Sequence, residues 1–267
     1  MKSNVTLFNF DGAYRTQNFY QNNQYEWIDY ESMPNISLFC EKDSLRQIAE
    51  KINKLNVNGI YFLGSGNYHY MSYVLQAKID KPYTLVLFDH HTDTLPSPSD
   101  NIISCGSWVL ESLQHLPMLK KVFIIGVSEE AIHHIPDSIH NRVVLYTENS
   151  LQSDLTTITK SIIKNISTES VYISMDKDVL NKKDALTGWD HGSLQLKQMM
   201  KMVKALIQFK DIIGVDVCGE YPINPANEYL DDTKLAVIKN NRTNGVILEY
   251  VKLWTRNAER RRKLLHA

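Results

Sequence analysis

Short runs of apolar residues recur along the chain, with gaps of helical length between many of them. They fall at 5–10, 59–63, 84–88, 122–127, 143–146, 171–174 and 212–217. Several are apolar at nearly every position, as expected for strands covered on both faces rather than for half-exposed strands, which alternate. The stretches 44–55, 108–116, 153–165 and 195–209 are amphipathic at helical period. Strands that alternate with such helices predict a mainly parallel central sheet sandwiched by helices, a three-layer α/β architecture. The segment 231–253 also reads as helix, interrupted near 240–245 where Asn and Gly gather. Residues 1–40, rich in Asn, Gln and Tyr, read as either irregular chain or an added strand. There is no internal repeat and no low-complexity linker, and 267 residues suffice for one large core, so a single domain over 1–267 is expected.

Charge removes some classes of partner. Lys plus Arg (29) nearly balances Asp plus Glu (30), which favours neither nucleic acid nor an anionic membrane. The basic cluster Arg256, Arg260, Arg261, Arg262 and Lys263 reads as a solvated helix C-terminus, where cations suit the dipole. Three cysteines, Cys40, Cys105 and Cys218, are too few and too scattered for a disulfide framework, which points to a reducing compartment. The N-terminus lacks the pattern of a signal peptide, and no apolar run approaches the ~20 residues that span a bilayer. A cytoplasmic globular protein is the expectation.

The chemistry gathers where apolar runs end. Residues 84–88 lead straight into Asp89-His90-His91-Thr92-Asp93. Alternation along an extended segment places Asp89, His91 and Asp93 on one side, with His90 and Thr92 opposite. After 171–174 come Met175-Asp176-Lys177-Asp178, where alternation sends Asp176 and Asp178 the same way and Lys177 the other. After 59–63 come Gly64-Ser65-Gly66-Asn67-Tyr68-His69, whose glycines permit a tight turn that aims His69 inward. In a parallel sheet all three segments lie on one rim, the carboxyl edge where open α/β folds place their sites. Any one of these clusters alone reads more simply as a capped strand end or a surface turn; three with consistent alternation read as metal binding. Four carboxylates and two imidazoles suit a hard to borderline ion such as Mn²⁺. Crowded carboxylates repel one another, and two divalent ions ~3.5–4 Å apart, bridged by shared carboxylates, would resolve that charge.

These residues resemble the arginase–agmatinase (ureohydrolase) family. Its Asp-Ala-His-x-Asp is matched by Asp89-His90-His91-Thr92-Asp93, and its Ser-x-Asp-x-Asp by Ser174-Met175-Asp176-Lys177-Asp178. Its Gly-Gly-Asp-His is loosely matched by Gly66-Asn67-Tyr68-His69, with the histidine retained. The resemblance spans roughly 59–254 and implies an arginase-like fold with two Mn²⁺ ions. One ion would take His69, Asp89, Asp93 and Asp176; the other would take Asp89, His91, Asp176 and Asp178. Departures fall on substrate and proton-transfer positions. Cys105 stands where the family often has a proton-shuttling histidine, and reads equally as a structural or a catalytic thiol. The family's Asp-Pro after the last ligand is replaced by Asn181-Lys182, and its Thr-Gly-Thr-Pro by Thr187-Gly188-Trp189-Asp190-His191-Gly192. The glutamate of its Asp-x-x-Glu is displaced by one residue, in Asp216-Val217-Cys218-Gly219-Glu220. Glu220 then either reaches the substrate through a bulge or faces away. His191, in a glycine-flanked loop, either replaces the proton shuttle or is an exposed loop histidine.

The resemblance implies a binuclear manganese hydrolase that cleaves a C–N bond of a small guanidino or amidino substrate by metal-bridging hydroxide, oriented by Asp93. The altered pocket points away from ordinary hydrolysis of free arginine. The alternatives are a formimidoyl-type hydrolase or a deacylase on the same fold, or a catalytically silent metal-binding regulatory protein. Many members of the family are oligomeric, so a homo-oligomer is compatible with the resemblance.

Overall fold

In the computed structural model, which describes residues 4–265, the apolar runs form an eight-stranded sheet in the order β2-β1-β4-β10-β9-β5-β7-β8, and every pairing in it is parallel. In chain order the elements are β1 (Asn4–Asn9), β2 (Tyr25–Asp29), β3 (Phe39–Glu41), α1 (Lys42–Lys51), β4 (Gly59–Phe62), α2 (Met71–Gln76), β5 (Tyr83–Phe88) and β6 (Ile102–Ser104). There follow α3 (Trp108–His115), β7 (Leu119–Val127), β8 (Val143–Thr147), α4 (Glu148–Ser153), α5 (Leu155–Asn165), β9 (Ser170–Asp176), α6 (Leu196–Phe209), β10 (Asp211–Cys218) and α7 (Asp231–Leu265). Strands β3 and β6 pair antiparallel in a separate two-stranded ribbon.

Alternation along each strand divides the apolar side chains between two cores. Leu85 and Leu87 of β5 join Val122 and Ile124 of β7 and Tyr172 of β9 beneath α1, α2 and α3. Val86 and Phe88 join Phe123, Ile125, Ile173 and Val215 beneath α5, α6 and α7. The all-apolar reading of the central strands follows from this: every position of β5 and of β9 is buried, and a helical layer covers each face. This is the three-layer α/β sandwich that the pattern predicts, with β2 as the strand added by the first forty residues.

The strand order reverses between β4 and β5. The chain builds β1, β2 and β4 on one side, crosses to β5, and fills the gap with β9 and β10 on its return. The carboxyl ends of β4, β10, β9 and β5 are consequently adjacent, at the switch point where open sheets form a crevice.

The break predicted within the last helix is absent. α7 runs without interruption from Asp231 to Leu265, because the Asn and Thr side chains at 240–245 bond elsewhere. Asn240 donates to the Leu186 carbonyl and accepts from its N–H, and Thr243 donates to the Asp184 carbonyl. With those groups engaged they do not compete for α7's own backbone. The basic end of α7 is the helix terminus expected, with Arg262 pairing to Asp211 at 2.6 Å. No helix among the described residues is long and apolar enough to cross a membrane.

Candidate metal centre

Strand β5 ends at Phe88, so Asp89, His91 and Asp93 do not converge by continued alternation as expected. They lie on a loop that folds back on itself. Asp89 Oδ1 accepts from the His91 backbone N–H at 2.7 Å, and Asp93 adopts a left-handed backbone with φ of 52°. Aspartate tolerates that conformation better than most residues, and a strained position at a cluster of functional groups is a common arrangement. Asp176 is the last residue of β9, and Asp178 sits in the 3-10 turn that follows. His69 directly follows a 3-10 turn at Gly66–Tyr68. Gly66 leaves room for close packing there, since a Cβ would stand 3.1 Å from Asp176 Oδ2 and 2.9 Å from the Trp189 ring.

Despite these differences in path, the six expected ligands come together. His69 Nδ1 lies 3.3 Å from Asp89 Oδ2, 3.2 Å from Asp93 Oδ2 and 3.6 Å from Asp176 Oδ2. His91 Nδ1 lies 3.0 Å from Asp178 Oδ2 and 3.5 Å from Asp89 Oδ1. Asp89 belongs both to the group with His69 and Asp93 and to the group with His91 and Asp178, each with ligand atoms within 4.8 Å of one another. A shared carboxylate between two such groups is the arrangement of a bridging ligand.

Neighbouring residues hold these ligands in place. The Ser174 hydroxyl donates to Asp216 Oδ1 at 2.5 Å, so at 2.9 Å it accepts from His69 Nε2. Nε2 thereby carries a proton, and Nδ1 faces the carboxylates of Asp89, Asp93 and Asp176. A partner of this kind on the far nitrogen is the usual support of a metal-ligating histidine. The Trp108 indole N–H donates to Asp93 Oδ2 at 2.6 Å, Asp178 Oδ1 accepts from the His90 N–H at 3.0 Å, and the Cys218 thiol donates to Asp176 Oδ2 at 3.0 Å. Trp108 and Cys218 are supports the sequence reading missed, because nothing in their spacing marks them.

The chemistry of this donor set fits a cation. Asp89 Oδ2 is buried with no hydrogen-bond partner. Burial and the charge of Asp89 push the Asp93 carboxyl up to about 6, and burial with Asp176 and Asp89 raises Asp178. Several carboxylate oxygens packed against one another need positive charge between them: against the effect of burial, the neighbouring acidic groups raise both His69 and His91 above the usual imidazole range, and oxygen with imidazole nitrogen suits a divalent metal.

Of the other expected residues, Glu220 and His191 lie off the cavity. Glu220 follows Gly219, whose φ of 85° ends the alternation of β10, and a Cβ at Gly219 would collide with Asp176 Oδ1. The Glu220 carboxylate is buried away from the ligands, paired with the fully buried Lys177 and accepting from Gln17 at 2.8 Å and Asn244 at 2.7 Å. Lys177 points away from Asp176 and Asp178, as alternation implies. His191 accepts the Thr187 N–H on Nε2 at 3.2 Å and bonds the Leu180 carbonyl through Nδ1 at 3.0 Å, so both ring nitrogens brace its own loop. Cys105 does line the cavity, with burial and the Asp93 carboxylate pushing its thiol up to about 12.

Comparison with known proteins agrees with this geometry. The Arginase family profile matches residues 7–239. An uncharacterized protein from Thermotoga maritima is 29% identical over 216 residues, covering 81% of this chain and 79% of that one. Formimidoylglutamase from Bacillus subtilis superposes with a TM-score of 0.66 at 15% identity, covering 92% of this chain and 87% of its own. Arginase from Bacillus subtilis superposes with a TM-score of 0.66 at 18% identity, covering 93% of this chain and 98% of its own.

Proposed function

This chain belongs to the arginase family, and from that premise we propose that it is a binuclear manganese hydrolase cleaving a C–N bond of a guanidino or amidino group. The observation that carries the reading is the pair of ligand groups that share Asp89. We assign His69, Asp89, Asp93 and Asp176 to one ion and Asp89, His91, Asp176 and Asp178 to the other. When bound, the ions supply Lewis acidity and lower the pKa of water so that it can attack near neutral pH.

The chain's own residues supply position. Ser174 and Asp216 keep the His69 proton on Nε2, so that Nδ1 remains a ligand. Trp108 occupies Asp93 Oδ2, and Oδ1 is the oxygen we assign to orienting the attacking water over the planar substrate carbon. The cavity above the ligands, about 410 Å³, is of a size to hold a small substrate. Glu220 and His191 act at one remove: Glu220 through Lys177 in the turn between Asp176 and Asp178, His191 by bracing the loop that carries Trp189.

The test is to load the purified protein with Mn²⁺ and offer a broad panel of guanidino and amidino compounds. Release of urea identifies guanidino hydrolysis, and release of formamide a formimidoyl substrate. No release from any of them, with the metal sites filled, would refute the proposal.

A further inference from the structure

We infer that the part of the substrate away from the reacting carbon is uncharged and apolar, an alkyl or aromatic tail without carboxylate or ammonium. The inference rests on the reading above, in which the six ligands form the reacting end of the cavity. Above that floor the walls are mostly apolar, built from Leu38, Phe39, Leu95, Pro96, Pro98 and Trp189, with Ser104 and Ser128 as neutral hydroxyl residues among them. No Lys, Arg or Glu lines the cavity among the described residues, and every Asp that lines it is one of the ligands. Beyond the floor, the titratable side chains on the walls are Cys105, whose thiol burial holds neutral, and His134 at the exposed mouth.

Two backbone donors of the wall are already engaged. The Leu95 N–H donates to the Gly106 carbonyl, and the Cys105 N–H donates to the Leu38 carbonyl. A charged tail seated here would lose its hydration and meet no opposite charge on the walls, only neutral hydroxyls, which is unfavourable. An apolar tail loses no hydrogen bond and removes wall surface from water.

The mouth supports the same conclusion. Phe39 is 50% exposed, Leu95 47% and Trp189 38%, and all three border one opening. Large apolar side chains gathered at a cavity mouth are costly to leave bare and mark a place where apolar matter binds. Trp189 is held ready: its indole N–H donates to Asn67 Oδ1 at 3.2 Å, and its ring stands edge-on to His91, with centroids 5.7 Å apart. It is thus a fixed aromatic wall running from a ligand of the floor to the rim. Leu38 reaches its place through a left-handed backbone, φ 65°, which a branched side chain adopts only under constraint.

The experiment compares probes that share a guanidinium head and differ in the tail: pentylguanidine, 4-aminobutylguanidine and 4-guanidinobutyrate. Each is titrated calorimetrically into the full chain, once without added metal and once with Mn²⁺. Pentylguanidine should bind at least about tenfold more tightly than either charged probe in both forms. Trp189→Ala should lower its affinity by about tenfold and leave the charged probes nearly unchanged. Leu95→Glu, at an exposed rim position, should shift preference toward the aminobutyl probe. Equal or tighter binding of a charged probe, or no measurable binding of pentylguanidine, overturns the inference. Turnover is read separately. If the tail preference holds but neither urea nor formamide is released, the hydrolytic reading fails while this one stands. If a charged-tail compound has the higher kcat/KM, the tail inference falls while the hydrolytic reading stands.

Discussion

Asp93 shows how far a ligand in this centre depends on one neighbour. Its backbone is left-handed, and the Trp108 indole N–H holds its Oδ2. Trp108→Phe keeps most of the ring while removing that donor, and Mn²⁺ titration should then give affinity or activity about 10–100-fold lower, the usual effect of losing a support of this kind. Lys177 is a second dependent residue, fully buried and paired to the buried Glu220. Lys177→Met strands the carboxylate and should cost about 3–5 kcal/mol in urea melts. Adding Glu220→Leu should recover most of that loss, because a buried ion pair often contributes little beyond its apolar replacement. If the double variant is no more stable than the single one, the pair is not the energetic unit described. The ligand residues themselves were legible in the sequence because carboxylates and imidazoles after apolar strands are conspicuous by type. Their supports were not. Trp108 and Cys218 read as ordinary core residues, and the partners of Glu220 include Gln17, at a separation of 203 residues.

Among the elements, α7 departs from its sequence pattern. Asn240, Asn241 and Asn244 look like a break only if their side chains turn on their own backbone; in the fold they are hydrogen-bond partners of segments far away in sequence. Asn240→Ala leaves the N–H and carbonyl of Leu186 without these partners and should destabilise the chain by about 1–3 kcal/mol, read from thermal unfolding. At its other end α7 is tied to the start of β10 through Arg262 and Asp211, with Lys81 also on Asp211. Burial alone would raise the Asp211 carboxyl, but Lys81 and Arg262 together hold it below the usual carboxylate range. A depressed folded-state pKa contributes stability that is present above the unfolded value, near 3.9, and is lost as pH falls through the folded value. Arg262→Gln should therefore destabilise the chain slightly at neutral pH, by less than about 1 kcal/mol for so exposed a pair, and the gap from the parent should close as pH falls below about 4. A gap that is constant with pH would mean the contact acts through packing instead.

Across the whole molecule, metal and fold should be linked, since a cation that binds only the folded chain stabilises it by mass action. At Mn²⁺ about a hundredfold above Kd the gain is about 2.7 kcal/mol, which at this chain length corresponds to a rise in Tm of about 5–10 °C. Scanning calorimetry with and without a chelator measures it, and Asp178→Asn should lose much of the difference. The architecture was open to inference from sequence because period-2 and period-3.6 patterns follow from backbone geometry alone. They gave the strands of the main sheet other than β2, the helices on both sides, and the rim on which His69, Asp89, His91, Asp93, Asp176 and Asp178 collect. Periodicity ends where the strands end. Beyond Phe88, Asp176 and Cys218 the chain's direction is set by hydrogen bonds from distant residues and by the left-handed turns at Asp93 and Gly219. For that reason the turn of Glu220 toward Lys177, the bracing role of His191 and the apolar walls above the ligands emerged only once distant segments were packed together.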